Sequence, residues 1–161
     1  MTEGLNKIIL LLCIVLSFMV CSCNSNVLFT DSVSMAKEEW TLENVATFTP
    51  LIKDTISSNN IFFTLRTGSS YPFRNIYFFV STTSPAGKTI TDTLQYMLAD
   101  EKGKWYGKGS GDIHELRLPF KSNVYFPASG TYSFKVRHGM RSETLKGVFD
   151  IGLRIEKHKI K

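Results

Sequence analysis

The stretch KTITDTLQYML, residues 88–98, alternates with a period of two along its whole length. Ile90, Asp92, Leu94, Tyr96 and Leu98 fall on one face, and Thr89, Thr91, Thr93, Gln95 and Met97 on the other. Successive side chains of an extended chain point to opposite sides, so this pattern predicts a half-buried β-strand. Asp92 interrupts the apolar face, which suits a sheet edge or a hydrogen-bonded position. Outward from it, the same alternation predicts strands over 45–53, 60–67, 75–83, 112–120, 131–138 and 147–157. In the last of these, Phe149, Ile151, Leu153 and Ile155 form one face against Val148, Asp150, Gly152, Arg154 and Glu156. Turn residues punctuate the strands at short intervals, as in Ser84-Pro85-Ala86-Gly87 and Pro127-Ala128-Ser129-Gly130. No segment holds a helical period over twelve or more residues, and 36–44 has room for one helical turn. Many short strands with regular turns predict an all-β fold, an antiparallel β-sandwich of jelly-roll or immunoglobulin-like type.

Composition agrees. The chain has 161 residues, 43% of them hydrophobic and 20% charged, which suits one globular domain and argues against disorder. The net charge of +5 is scattered rather than gathered in a patch, so a nucleic-acid partner is not expected. All three cysteines precede residue 24, which excludes a disulfide framework or a cysteine zinc site from the folded part.

Residues 8–20 form an uncharged apolar run preceded by Lys7. Thirteen residues are too few for a membrane-spanning helix and match the hydrophobic region of a signal peptide. Val20-Cys21-Ser22-Cys23 follows, with a small residue directly before Cys23, as in a bacterial lipobox. Cys23 is thus expected to become the acylated first residue of the mature protein. The expected organisation is a signal peptide over 1–22, an acylated Cys23 and tether over 23–35, a sandwich over 36–157 and a basic tail over 158–161.

Chemistry is sparse. Neither G-x-S-x-G nor H-E-x-x-H occurs, nor a phosphate-binding glycine loop, and His114 and His138 read as structural or surface residues. No cofactor is expected. A hydrolase would need carboxylates brought together around Asp92, Asp100 or Asp112. The segment most apt for recognition is ADEKGKWYGKGSGD, residues 99–112, in which glycines at 103, 107, 109 and 111 surround Trp105 and Tyr106. Three readings stay open for it: a long hairpin with Trp105 folded over the sandwich edge, a protein interface, or a site for sugar or calcium. Asp100, Glu101 and Asp112 are the weak calcium candidates, without the spacing of an EF-hand loop. A second aromatic cluster, YPFRNIYFF at 71–79, reads as core plus edge, and Tyr71 and Arg74 join Trp105 and Tyr106 as candidate interface residues.

Several stretches together resemble the gliding-motility lipoprotein GldH family: Leu65-Arg66 with Tyr71-Pro72-Phe73-Arg74-Asn75, the run from Pro85 to Leu94, Leu98-Ala99-Asp100 with Gly103-Lys104-Trp105, Phe126-Pro127 to Gly130-Thr131-Tyr132, and the run from Asp150 to Lys157. The resemblance covers about residues 28–157. It implies a lipid-anchored accessory of the gliding machinery, tied to type IX secretion, whose partners are other lipoproteins and membrane proteins of the cell envelope. It implies no catalytic residue. Asn24, not an acidic residue, follows the cysteine, so a periplasm-facing anchor is expected. The alternative is a carbohydrate- or peptidoglycan-binding lipoprotein with Trp105 as its platform.

Overall fold

The computed structural model describes residues 26–159; the signal segment and Cys23 lie outside them. Thirteen strands follow in order: β1 (Val27–Ser34), β2 (Glu39–Thr41), β3 (Ala46–Phe48), β4 (Leu51–Ile52), β5 (Asn59–Gly68), β6 (Asn75–Thr83), β7 (Thr89–Met97), β8 (Lys108–Ser110), β9 (Ile113–Val124), β10 (Gly130–Thr131), β11 (Ser133–His138), β12 (Thr144–Lys146) and β13 (Val148–Lys157). A single 3-10 turn, Ala36–Glu38, occupies the place where one helical turn was expected.

Two antiparallel sheets carry the fold, one ordered β1-β13-β5-β9-β8 and the other β3-β11-β6-β7. Their pairing is nested: β1 with β13, β3 with β11, β5 with β9, and β6 with β7. These eight strands therefore form one long hairpin rolled into two layers, which is the jelly-roll member of the expected sandwich class. Ile61, Phe63 and Leu65 of β5 and Ile151, Leu153 and Ile155 of β13 face Ile76, Phe78 and Val80 of β6 and Phe134 and Val136 of β11, all buried. Phe63 and Phe78 meet edge to face across the layers at 5.8 Å. All the strands run between two ends. At the proximal end β1 begins and β13 finishes; at the distal end lie the 3-10 turn, the β7–β8 connection and the β12 hairpin.

Two expectations change. Most of the span 23–35 expected as a tether is a full edge strand, Val27–Ser34, on β13. Its mixed pattern, VLFTDSVS, reflects an edge position that leaves most of its side chains in water. The clean alternation of the last strand also breaks. A bulge between Val148 and Asp150 slips the phase, so Val148 enters the core and Phe149 turns partly outward.

Trp40 of β2 is fully buried against Phe78 and His138, and its indole N–H donates to the Asn44 carbonyl at 2.7 Å. His138 is itself fully buried, and neither ring nitrogen has a hydrogen-bond partner of good geometry. Burial pushes its pKa below the ordinary 6.5, and the backbone of Trp40 and Glu143 offsets this only in part. The unfolded chain takes up this proton as pH falls through 6.5 while the folded chain resists it, so stability is lost on acidification below that value. Carboxylates such as Glu156 add their own acid lability only below about pH 4.5. Urea midpoints of wild type are expected to fall between about pH 7 and pH 5, and His138→Phe to flatten that slope. A wild-type midpoint constant over this range would contradict a buried, neutral His138.

Candidate protein-contact site

The glycine-rich segment joins the free edge of one sheet, β7, to the free edge of the other, β8, across the open side of the sandwich. Leu98 and Ala99 donate their N–H groups to the Arg74 carbonyl, Ala99 bridges to Trp105, and Tyr106 N–H donates to the Leu98 carbonyl. The tip is closed by Asp100, whose Oδ1 accepts the N–H groups of Lys102 at 2.8 Å and Lys104 at 2.9 Å. Gly103 sits in that turn at φ 80°, a conformation that favours glycine. Gly107 has a different duty: a Cβ there would lie 2.5 Å from the Glu115 carbonyl oxygen, so only glycine lets β8 start against β9. The close backbone approach that this glycine permits is thus made to the chain's own neighbouring strand.

The four candidate interface residues separate. Trp105 is half-buried, stacked on His114 at 4.9 Å with 12° between the planes, and it approaches Tyr71 at 6.3 Å. Tyr71 is 4% exposed and donates its hydroxyl to the Asn75 carbonyl, and burial pushes its phenol pKa up. A ring so covered is core and presents nothing to a partner. Tyr106, by contrast, is 64% exposed. Arg74 is exposed as well, and its Nη1 donates to the Asp100 carbonyl at 3.3 Å. Adjacent residues of a strand-like hairpin point to opposite sides, so one aromatic turns in and its neighbour out.

Beside Tyr106 runs an open groove of about 550 Å³, with Tyr96 and Met97 on one wall and Gly107, Leu118 and Pro119 on the other. Met97 is nearly half exposed. Tyr96 packs on Phe78 and donates its hydroxyl to the Pro119 carbonyl at 2.8 Å, which ties the two walls together; burial pushes its pKa up to about 12. The groove is therefore a fixed feature, flanked by one free aromatic and one free thioether, both side chains favoured at protein contacts. Met97 belongs to the outward set of residues 88–98, and its exposure at the end of an edge strand was the signal to follow.

The carboxylates do not converge. Asp92 pairs with Lys121 at 2.9 Å and lies five residues up β7 from Met97, about 17 Å along the strand. Asp100 is occupied by its own turn. Asp112 accepts from Ser69, through its carbonyl at 3.1 Å and its side chain at 3.4 Å. Glu101 is exposed at the tip. Among the described residues no three His, Cys, Asp or Glu side chains come together as metal ligands.

The outer face of the five-stranded sheet holds a charge network that sequence reading did not assemble. Arg66 binds the buried Asp150, while Arg117 and Arg154 both hold Glu156. Burial alone would raise the pKa of Glu156, but hydrogen bonds from Arg154 and Arg117 lower it on balance. Arg117 also lies 3.8 Å above the Phe62 ring. An open groove of about 580 Å³ runs along Thr64, Arg66, Arg117, Asp150 and Arg154.

Over residues 27–155 the chain matches a family described as GldH lipoprotein. It is 34% identical over 158 residues to the gliding motility lipoprotein GldH of Flavobacterium johnsoniae, covering 94% of this chain and 96% of that protein. It is 31% identical over 143 residues to a gliding motility lipoprotein GldH homolog of Christiangramia forsetii, covering 84% of this chain and 87% of that one. Among solved structures, a carbohydrate-binding module of the β-sandwich superfamily aligns with 84% of this chain and 57% of its own, at 9% identity and a TM-score of 0.31, too distant to carry any argument. No helix among the described residues is long and apolar enough to cross a membrane. With a family match over nearly the whole jelly roll and two relatives aligned almost end to end, this chain belongs to the GldH lipoprotein family.

Proposed function

We propose that this lipoprotein is an accessory of the gliding machinery linked to type IX secretion, held at the membrane by lipid on Cys23 facing the periplasm, and that it acts by protein contacts without catalysis. The observation that carries the reading is the distal groove, where Tyr106 and Met97 stand exposed on a hairpin fixed by Asp100, Gly107 and Trp105. An aromatic anchor on a rigid frame loses little entropy when it is covered. The anchor confines the domain to a thin layer, so a modest interface suffices for lasting association. Its partners in this reading are other lipoproteins and membrane proteins of the envelope. The sugar-binding alternative would rest on Trp105, which is half-buried between His114 and Tyr71, whereas the freely exposed aromatic is Tyr106.

The test is quantitative co-purification of envelope proteins from membranes after mild crosslinking, comparing wild type, Tyr106→Ala and Cys23→Ala. Tyr106→Ala is expected to keep its membrane location and thermal midpoint while partner recovery falls about tenfold, the effect of removing an interface aromatic. Cys23→Ala is expected to lose the acyl modification and the mature membrane-bound form. Unchanged recovery with Tyr106→Ala, or recovery of peptidoglycan alone, sinks the contact reading.

A further inference from the structure

The proximal end of the jelly roll differs from the rest of the surface. Four large apolar side chains stand out there. Ile56 is 87% exposed, and Leu51, Ile90 and Tyr125 are each more than half exposed. They come from separate segments that the topology brings together: β4, the β4–β5 connection, the start of β7 and the residues following β9. Register fixes the shared end, since Lys157 of β13 pairs with Asn59 of β5, and Asn59 with Val124 of β9. In the other sheet Thr83 pairs with Thr89, and Gly130 packs tightly on Pro85 in the same β6–β7 turn.

Lysines surround these side chains. Lys53, Lys88 and Lys159 are exposed, while Lys121 pairs with Asp92 and Lys157 with Asp54. Five lysines against two aspartates leave a local charge of +3. At the distal end, Glu38, Glu43, Glu101 and Glu143 stand among the basic residues. An open, mostly apolar groove of about 280 Å³, floored by Ile61, Phe120, Phe126 and Phe134 with Ile90 at its rim, opens at the proximal end too.

Asn26 lies at this end, with its carbonyl accepting the Lys157 N–H. Cys23 precedes it by three residues, so the lipid-bearing position is within about 11 Å of it even in a fully extended chain. We infer that the proximal end is a membrane-docking face: Leu51, Ile56, Ile90 and Tyr125 enter the interfacial layer of an anionic leaflet while the lysine collar meets its headgroups. The inference rests on anchoring through Cys23. Apolar tips within a basic ring are the chemistry of an interfacial contact, and each lysine at an anionic surface strengthens it about fivefold. The domain then stands upright on the bilayer, with Tyr106 and its groove turned away from the lipid.

The full acylated protein carrying Tyr125→Trp, reconstituted in vesicles of phosphatidylcholine and phosphatidylglycerol, tests this. The native indoles serve as internal references, Trp40 being fully buried and Trp105 at the distal end. Brominated acyl chains are expected to quench most of the added emission and little of the native emission. Removing phosphatidylglycerol, or combining Lys53→Glu, Lys88→Glu and Lys159→Glu, should reduce that quenching severalfold. Mass spectrometry of the N-terminal peptide separates the two ideas. An acylated Cys23 with no quenching overturns the docking face and leaves the anchor standing; an unmodified Cys23 overturns both.

Discussion

Trp40→Ala is expected to lower the unfolding free energy by about 3–5 kcal/mol, the cost of deleting a large buried aromatic. The indole belongs to β2, a strand of three residues held only by β12, yet it is fully enclosed between Phe78 and His138. Truncation opens a cavity under the distal end and removes the donor that satisfies the Asn44 carbonyl. The surrounding strands are paired in the sheets, so they collapse only partly into the space, which puts the effect in the upper part of that range. Urea denaturation of the purified protein measures it, with Trp40→Phe falling between wild type and alanine. Tyr106→Ala, on the exposed side of the hairpin, is the contrast and should stay within about 0.5 kcal/mol. Equal midpoints for Trp40→Ala and Tyr106→Ala would mean that β2 is not part of the cooperative core.

Arg66→Ala is expected to be the next most damaging change, at about 2–3 kcal/mol, although Arg66 is half exposed. The damage comes from its partner. The Asp150 side chain is 6% exposed on β13 and receives the Nε and Nη2 groups of Arg66. That contact also raises the pKa of the guanidinium, first through the hydrogen bond and then through the opposite charge. With Arg66 gone, a carboxylate is left nearly dry beside the apolar run of β13. Solvent reaching the exposed side of the arginine keeps the direct attraction modest, so most of the loss is the stranded charge. Replacing both residues, Arg66→Ala with Asp150→Ala, should therefore cost less than the sum of the two single changes, with a coupling of about 1–3 kcal/mol in a double-mutant cycle. Additive single effects would show that the two side chains do not depend on each other.

The alternation that opens β7 was legible because a long strand with one wet face writes its burial directly into sequence. The strand expected over 75–83 coincides with β6, and that expected over 60–67 lies within β5. What escaped has physical reasons. β2, β8 and β12 have three residues each, less than two periods of alternation, and their existence depends on partners far along the chain. β1 lies at an edge and wets both faces. The bulge at Val148 leaves no mark in composition, yet it exchanges the roles of Val148 and Phe149. In the candidate site, the glycines serve a turn at Gly103 and the approach of β8 to β9 at Gly107. The separation of Trp105 from Tyr106 follows from the same period-two rule, applied to the long hairpin that is one of the three readings of 99–112. Arg66 and Asp150 stand 84 positions apart, and only the fold puts them in contact.

The nested pairing has a consequence for how the protein reaches its place of work. Val27 lies opposite Glu156, a separation of 156 − 27 = 129 residues, so the first strand has no partner until the last has been delivered. Contacts of such long range form slowly, because loop closure must precede any return from pairing. A chain delivered N-terminus first can pair β6 with β7 and β5 with β9 early, but it cannot complete the roll until its last strand arrives. On the proposed reading, in which Cys23 carries the lipid, the anchor is in place before the roll can close, and the domain completes itself beside the membrane that holds it.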